Sequence, residues 1–168
     1  MALTLEQHEE WMKYSCRACG VGNLYKEWNL QYFTSMQSDN TGHILGQCHT
    51  VLYPHDKVKH TIRLLDNSII PSWYTEEHQR TTVIHEACHA ITYYYLFKEH
   101  GLTELAMNLG AQMGGHIDLW YKCMRKCGYE KPEAFAEADS APKFKQKKLS
   151  LFLGDFKHAT RQLLSKAV

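Results

Sequence analysis

Residues 75–101 read TEEHQRTTVIHEACHAITYYYLFKEHG. Thr75 is a strong N-cap, and Glu76 and Glu77 stand where the helix dipole favours negative charge. Gly101 is a natural stop, so the spacing predicts one long helix ending near His100. Inside it, His85, Glu86 and His89 make the pattern H-E-x-x-H. On a helix, residues four apart lie on one face with β-carbons about 6 Å apart, so two imidazoles reach one ion. Zinc takes neutral imidazole nitrogen at about 2.0–2.1 Å. Glu86 follows the first histidine and is the candidate general base toward a water that zinc acidifies. Apolar Val83, Ile84, Ala90 and Ile91 surround these three residues. Two histidines and a glutamate on an otherwise apolar face are costly to bury without a ligand.

A catalytic zinc has three protein ligands and an open position. The short pattern H-E-x-x-H-x-x-G-x-x-H is excluded, because Thr92 and Tyr95 stand where its glycine and third histidine belong. Three candidates remain. Glu104 lies on a following helix. His100 ends the same helix, about 16 Å along the axis from His89. His116 follows Gly114-Gly115, where the chain can turn an imidazole back, and is the favoured one.

Working outward, Lys59 to Leu65 alternates Lys59, Thr61 and Arg63 with His60, Ile62 and Leu64, which suits a strand with one buried face. His43 to Tyr53 reads as extended, and Ser38 to Gly42 as a turn. Leu5 to Cys19 reads as a helix ended by Gly20 and Gly22. Asn23 is a candidate cap for a second helix with Leu24, Trp28, Tyr32 and Met36 in line. Beyond the long helix, Thr103 caps a segment from Glu104 to Met113, and His116 to Cys127 forms another helix that stops at Gly128. The expected fold is α+β, a small antiparallel sheet packed against several helices. Residues 1–130 form the domain, and residues 131–168 a linker and a basic C-terminal helix from Leu149 to Ala167.

The chain of 168 residues has a net charge of +1, from 19 Lys+Arg and 18 Asp+Glu. That length suits one domain with a real core. The balance is uneven. Residues 1–140 carry 12 basic and 17 acidic side chains, whereas residues 141–168 carry 7 and 1. A basic segment of this kind attracts phosphates, or else is a solvated terminal helix. The near-neutral total excludes a wholly basic nucleic-acid binder and an acidic disordered chain. No apolar run is long enough to span a membrane. Met1 to Glu10 is polar and acidic, unlike a signal peptide, so an intracellular, cytoplasmic location is expected.

In that setting the six cysteines read as free thiols or metal ligands. Cys16 and Cys19, followed by Gly20, resemble half of a zinc knuckle, and Cys123 and Cys127 are the candidate second half. The alternative is four ordinary buried thiols. Cys88 reads as a small core residue. Tyr93, Tyr94 and Tyr95 read as core or rim packing, with one a candidate oxyanion donor.

Thr81 to Ala90, Gly115-His116-Ile117-Asp118-Leu119-Trp120 and Met124 to Tyr129 together resemble the SprT-like (Spartan-type) zinc metalloproteases. Trp28 to Phe33 resembles that family's Asn-x-x-Tyr-Phe helix, Leu45 to Cys48 its Gly-x-Cys strand, and Thr61 to Leu64 the strand before its active helix. The resemblance covers about residues 24–129. Ile117 stands where the family has Gly, Trp120 where Phe is common, and no Cys follows Lys131 to build the family's C-terminal zinc ribbon. The resemblance implies a zincin-like fold with an H-E-x-x-H active-site helix. It implies zinc held by His85, His89 and His116, Glu86 as the catalytic carboxylate, and hydrolysis of peptide bonds. It further implies protein substrates bound or crosslinked to DNA. DNA contact through the basic tail, with Lys122, Arg125 and Lys126, is the matching expectation. The rival expectation is a DNA-associated adaptor that uses zinc only to staple its fold.

Overall fold

The computed structural model describes residues 2–35, 37–39, 42–53 and 57–132. The expected linker from residue 133 on and the basic terminal helix lie outside the described residues.

Helix α1 spans Leu5–Cys19, with Thr4 and Gln7 forming a capping box and Gly20 closing it at φ 77°. His8, Met12, Ser15, Cys16 and Cys19 are buried on its inner face. The predicted second helix is absent. Leu24–Glu27 makes a single 3-10 turn, and Asn29–Phe33 is strand β1. The apolar residues four apart suggested a helix. The same residues Trp28 and Tyr32, with Leu30, also recur every second position. Leu30 and Tyr32 in the strand, with Trp28 just before it, pack into the main core, while Phe33 joins Leu65 and Tyr74 in a smaller cluster on the opposite face. Pairing with a distant strand, invisible to local spacing, decides between the two periods.

Strands β2 (Gln37–Asp39) and β3 (Gly42–Ile44) form an antiparallel ribbon, so Ser38, Asp39 and Gly42 of the expected turn are strand residues, and residues 40 and 41 lie outside the described residues. Strands β4 (Gly46–Tyr53) and β5 (Lys57–Leu65) complete a three-stranded sheet of order β1-β5-β4. β4 runs antiparallel to β5, from Gly46 opposite Leu64 to Tyr53 opposite Lys57. β1 runs parallel to β5, from Asn29 opposite Thr61 to Phe33 opposite Leu65. The sheet is therefore mixed rather than antiparallel as expected. The ribbon and β4 lie between β1 and β5 in sequence, and β5 returns in the direction of β1. The alternation read in β5 holds, with His60, Ile62 and Leu64 buried.

Helix α2 spans Glu76–His100, capped by Thr75. Every residue from Val83 to Thr92 is buried except His89, which is half-buried. A helix enclosed on most sides is the centre of a domain. The sheet covers one side of α2, and α1, α3 (Glu104–Ala111) and α4 (Asp118–Lys126) pack around the rest. Ile62, Ile84 and Ile91 are almost completely removed from solvent at its centre, each contributing about 1.5–3 kcal/mol by burial. Helix α3 ends two residues earlier than predicted, in a 3-10 turn over Gln112–Gly115, and α4 starts after Ile117 rather than at His116. Among the described residues no helix is long and apolar enough to cross a membrane.

Candidate metal centre

One turn of α2 brings His85 and His89 together, with ring centroids 4.9 Å apart. His116, in the short link before α4, completes the group. Its ring centroid is 5.0 Å from that of His85 and 4.9 Å from that of His89. One ligand nitrogen from each histidine lies within 4.8 Å of the others. His85 Nε2 and His116 Nε2 are 3.1 Å apart. Nitrogens on a tetrahedral zinc, each at 2.0–2.1 Å, stand about 3.3 Å from one another. The donor set therefore fits zinc, and imidazole also suits other first-row divalent ions. The two other candidates for a third ligand lie elsewhere. Glu104 is exposed at the start of α3, and His100 faces Glu99 at the end of α2.

Two residues set this geometry. Gly115 has φ +86°, and a β-carbon there would lie 2.7 Å from His89 Nδ1. Only glycine combines that backbone with so close an approach. The Gly115 backbone also hydrogen-bonds the His89 ring and favours its protonated form. Trp120, fully buried one turn into α4, places its indole against all three rings, at 4.8, 5.5 and 4.4 Å from His85, His89 and His116. Its Nε1–H donates to the His85 carbonyl at 3.3 Å. This plate closes one side of the site and locks α4 onto α2.

Burial dominates the titration of the histidines. It pushes His85 down to about 3, helped by charge repulsion from His116. It pushes His116 down to about 4 and His89 well below the ordinary value, where His85 and His116 add to it. All three are thus neutral at pH 7, the form that ligates metal.

Glu86 is one residue on from His85, a rotation of about 100° round the helix, and it turns toward the sheet. It is buried at 7% exposure. Gly46, the first residue of β4, leaves the space it occupies. A β-carbon at Gly46 would stand 3.0 Å from Glu86 Cγ and Oε1 and 2.5 Å from Thr82 Cγ2. Thr82 in turn accepts the Tyr74 hydroxyl at 2.7 Å. Burial first, and then the charge of Glu86, push the Cys48 thiol and the Tyr74 hydroxyl upward. Glu86 is therefore held between α2 and β4 with Cys48 and Tyr74 nearby.

Sequence reasoning did not assign Trp120, Gly46 or Tyr74 to the site, and it read Gly115 only as part of the turning point before His116. The visible signals were a Trp one turn after His116 and glycines placed where a crowded helix needs room. The three tyrosines are occupied elsewhere. Tyr93 stacks with Phe97 and fills the space over Gly110, Tyr94 packs edge-on against Tyr95, and the Tyr95 hydroxyl donates to the Cys19 carbonyl. Lys122, Arg125 and Lys126 are exposed on α4. Of the cysteines considered for a second site, Cys19, Cys123 and Cys127 come together, but with Cys88 rather than with Cys16. Comparison of the chain with protein-family models, with curated proteins and with solved structures finds no match.

Proposed function

We propose that this chain is a zinc-dependent metallopeptidase with a zincin-like, SprT-like active site. The carrying observation is the set of three histidine nitrogens within 4.8 Å of one another, with Glu86 directly after the first. His85, His89 and His116 would hold the ion, which supplies a Lewis acid that acidifies water and polarises a carbonyl. Glu86 takes the proton from the attacking water at a carboxylate oxygen and passes it to the leaving amine nitrogen. Its fixed place between α2 and β4 means little reorganisation precedes that transfer.

The sheet supports a peptide substrate. β4 pairs with β5 along one edge, and among the described residues no strand pairs with its other edge. It begins at Gly46 beside Glu86 and carries exposed Val51 and Tyr53. An extended peptide added to that edge gains main-chain hydrogen bonds and runs toward Glu86. Exposed Lys122, Arg125 and Lys126, with the basic composition of residues 141–168, support recruitment to DNA-bound proteins.

The test is cleavage of an unfolded protein by the zinc-loaded chain, with and without single-stranded DNA. Turnover abolished by a chelator and restored by zinc is expected. Stoichiometric zinc with no turnover under either condition would favour the adaptor reading instead.

A further inference from the structure

Four of the six cysteines converge in the core, away from the histidine group. Cys19 ends α1, Cys88 lies in the middle of α2, and Cys123 and Cys127 lie one turn apart at the end of α4. Their exposures are 2%, 0%, 2% and 5%. The Cys88 and Cys127 sulfurs are 3.9 Å apart, and the Cys19 thiol donates to the Cys123 carbonyl at 3.7 Å. Cys123, Cys127 and Cys88, in that order, lower the Cys19 thiol's pKa, which places all three close to it. It is the hub of the group.

Cysteines commonly serve as small buried hydrophobes. Such a role does not require four of them, from three helices, to turn their sulfurs toward one another. Four is the ligand number of a closed tetrahedral site. Two sulfurs on one zinc, each at about 2.3 Å, stand about 3.8 Å apart. The Cys88–Cys127 separation matches that spacing. A disulfide needs about 2.05 Å. Cys19 and Cys127 are each followed by a glycine in the left-handed region, Gly20 at φ 77° and Gly128 at φ 94°, so both chains turn away directly after the thiol. Cys16 is buried, with a backbone hydrogen bond at Tyr25, and of the four thiols it senses the charge of Cys19.

We propose that Cys19, Cys88, Cys123 and Cys127 form a second metal site, a structural tetrathiolate site for zinc. The site differs from the pairing expected from sequence, since Cys88 replaces Cys16. Its placement gives it a purpose. Cys88 shares a helical turn with His85 and His89, and Cys123 and Cys127 share α4 with Trp120, just after His116. An ion at the thiols pins α2 to α4 and so holds the two parts of the histidine group in register. The thiol site stands on its own geometry and does not depend on peptidase activity.

Cobalt(II) reads the two donor sets apart. The reduced full-length chain is reconstituted anaerobically with excess cobalt(II), and bound metal and the absorption spectrum are measured. Two equivalents are expected, with an intense near-ultraviolet thiolate-to-cobalt band. That band persists with one equivalent in a His85→Ala, His89→Ala double variant. It is lost, leaving one equivalent, when Cys88 and Cys127 are both changed to Ser. A parent chain that binds cobalt without the thiolate band overturns the proposal, whatever the variants do. So does peptide mapping that finds Cys88 and Cys127 joined as a disulfide in the freshly isolated chain.

Discussion

The Nε2 atoms of His85 and His116 lie 3.1 Å apart although 31 residues separate them in sequence. Two neutral imidazoles at that distance either share a proton or share an ion. Changing His116 to Ala leaves the helical pair of ligands and removes the third. Loss of a residue that merely supports a ligand costs about 10–100-fold in metal affinity, so His116→Ala is expected to lose more than about 100-fold. Competition with a chromophoric chelator measures it, and an unchanged affinity would remove His116 from the ligand set.

Two glycines separate metal binding from the placement of Glu86. Gly115→Ala puts a β-carbon 2.7 Å from His89 Nδ1 on a backbone at φ +86°. It is expected to cost about 1–2 kcal/mol in backbone strain and to weaken metal binding. Gly46→Ala presses instead on Thr82 and Glu86. It is expected to keep the metal while peptidase turnover falls about 100-fold, the cost of a misplaced group. Equal effects of both variants on metal content would mean that Glu86 and the ligands are not independently held.

Trp120 acts through its indole body and its N–H. Trp120→Phe keeps a ring beneath the histidines and loses the bond to the His85 carbonyl, an expected loss of about 1 kcal/mol. Trp120→Ala empties the space and is expected to lose about 3–5 kcal/mol. Urea midpoints of the two variants give the comparison. If Phe were as damaging as Ala, the N–H would be the larger contribution.

Local signals made some elements legible and left others hidden. Thr75 and Gly101 bound α2 because capping is decided within a few residues, and H-E-x-x-H needs only one helical turn to bring His85 and His89 together. The turning point at Gly114-Gly115 was enough to favour His116. Strand β1 was not legible, because its partner β5 is far away in sequence and the spacing of Leu24, Trp28 and Tyr32 fits a helix as well. The grouping of the thiols was hidden for the same reason. Cys16 and Cys19 form a conspicuous local pair, yet the neighbour that completes the group is Cys88, which only the packing of α2 against α1 and α4 brings near.

Acid sensitivity has a definite sign. His60 is buried, accepts or donates a hydrogen bond with Thr50 Oγ1 at 2.9 Å, and packs against Trp28 and Tyr93. Burial pushes it down to about 4 from an ordinary 6.5. Between those values the unfolded chain holds a proton that the folded chain does not, so stability falls as pH falls. The stability is intact above about pH 6.5, and about 3 kcal/mol is lost on reaching pH 4 and below. His60→Gln is expected to flatten this slope when metal-free parent and variant are unfolded in urea at pH 7 and at pH 4.5. Parallel slopes would assign the acid loss to other groups, such as His8, which burial also pushes down.

The central claim is that Glu86 performs the proton transfer while the three histidines hold the ion. Glu86→Gln keeps the size of the side chain and removes its basicity. The decisive measurement is zinc content and peptide-bond cleavage for the parent and Glu86→Gln, side by side. The account predicts one zinc at the histidine group in both chains, with cleavage reduced by at least about 1,000-fold in the variant, the scale of losing one essential catalytic group. Cleavage by Glu86→Gln at the parent rate, with its zinc in place, would contradict it.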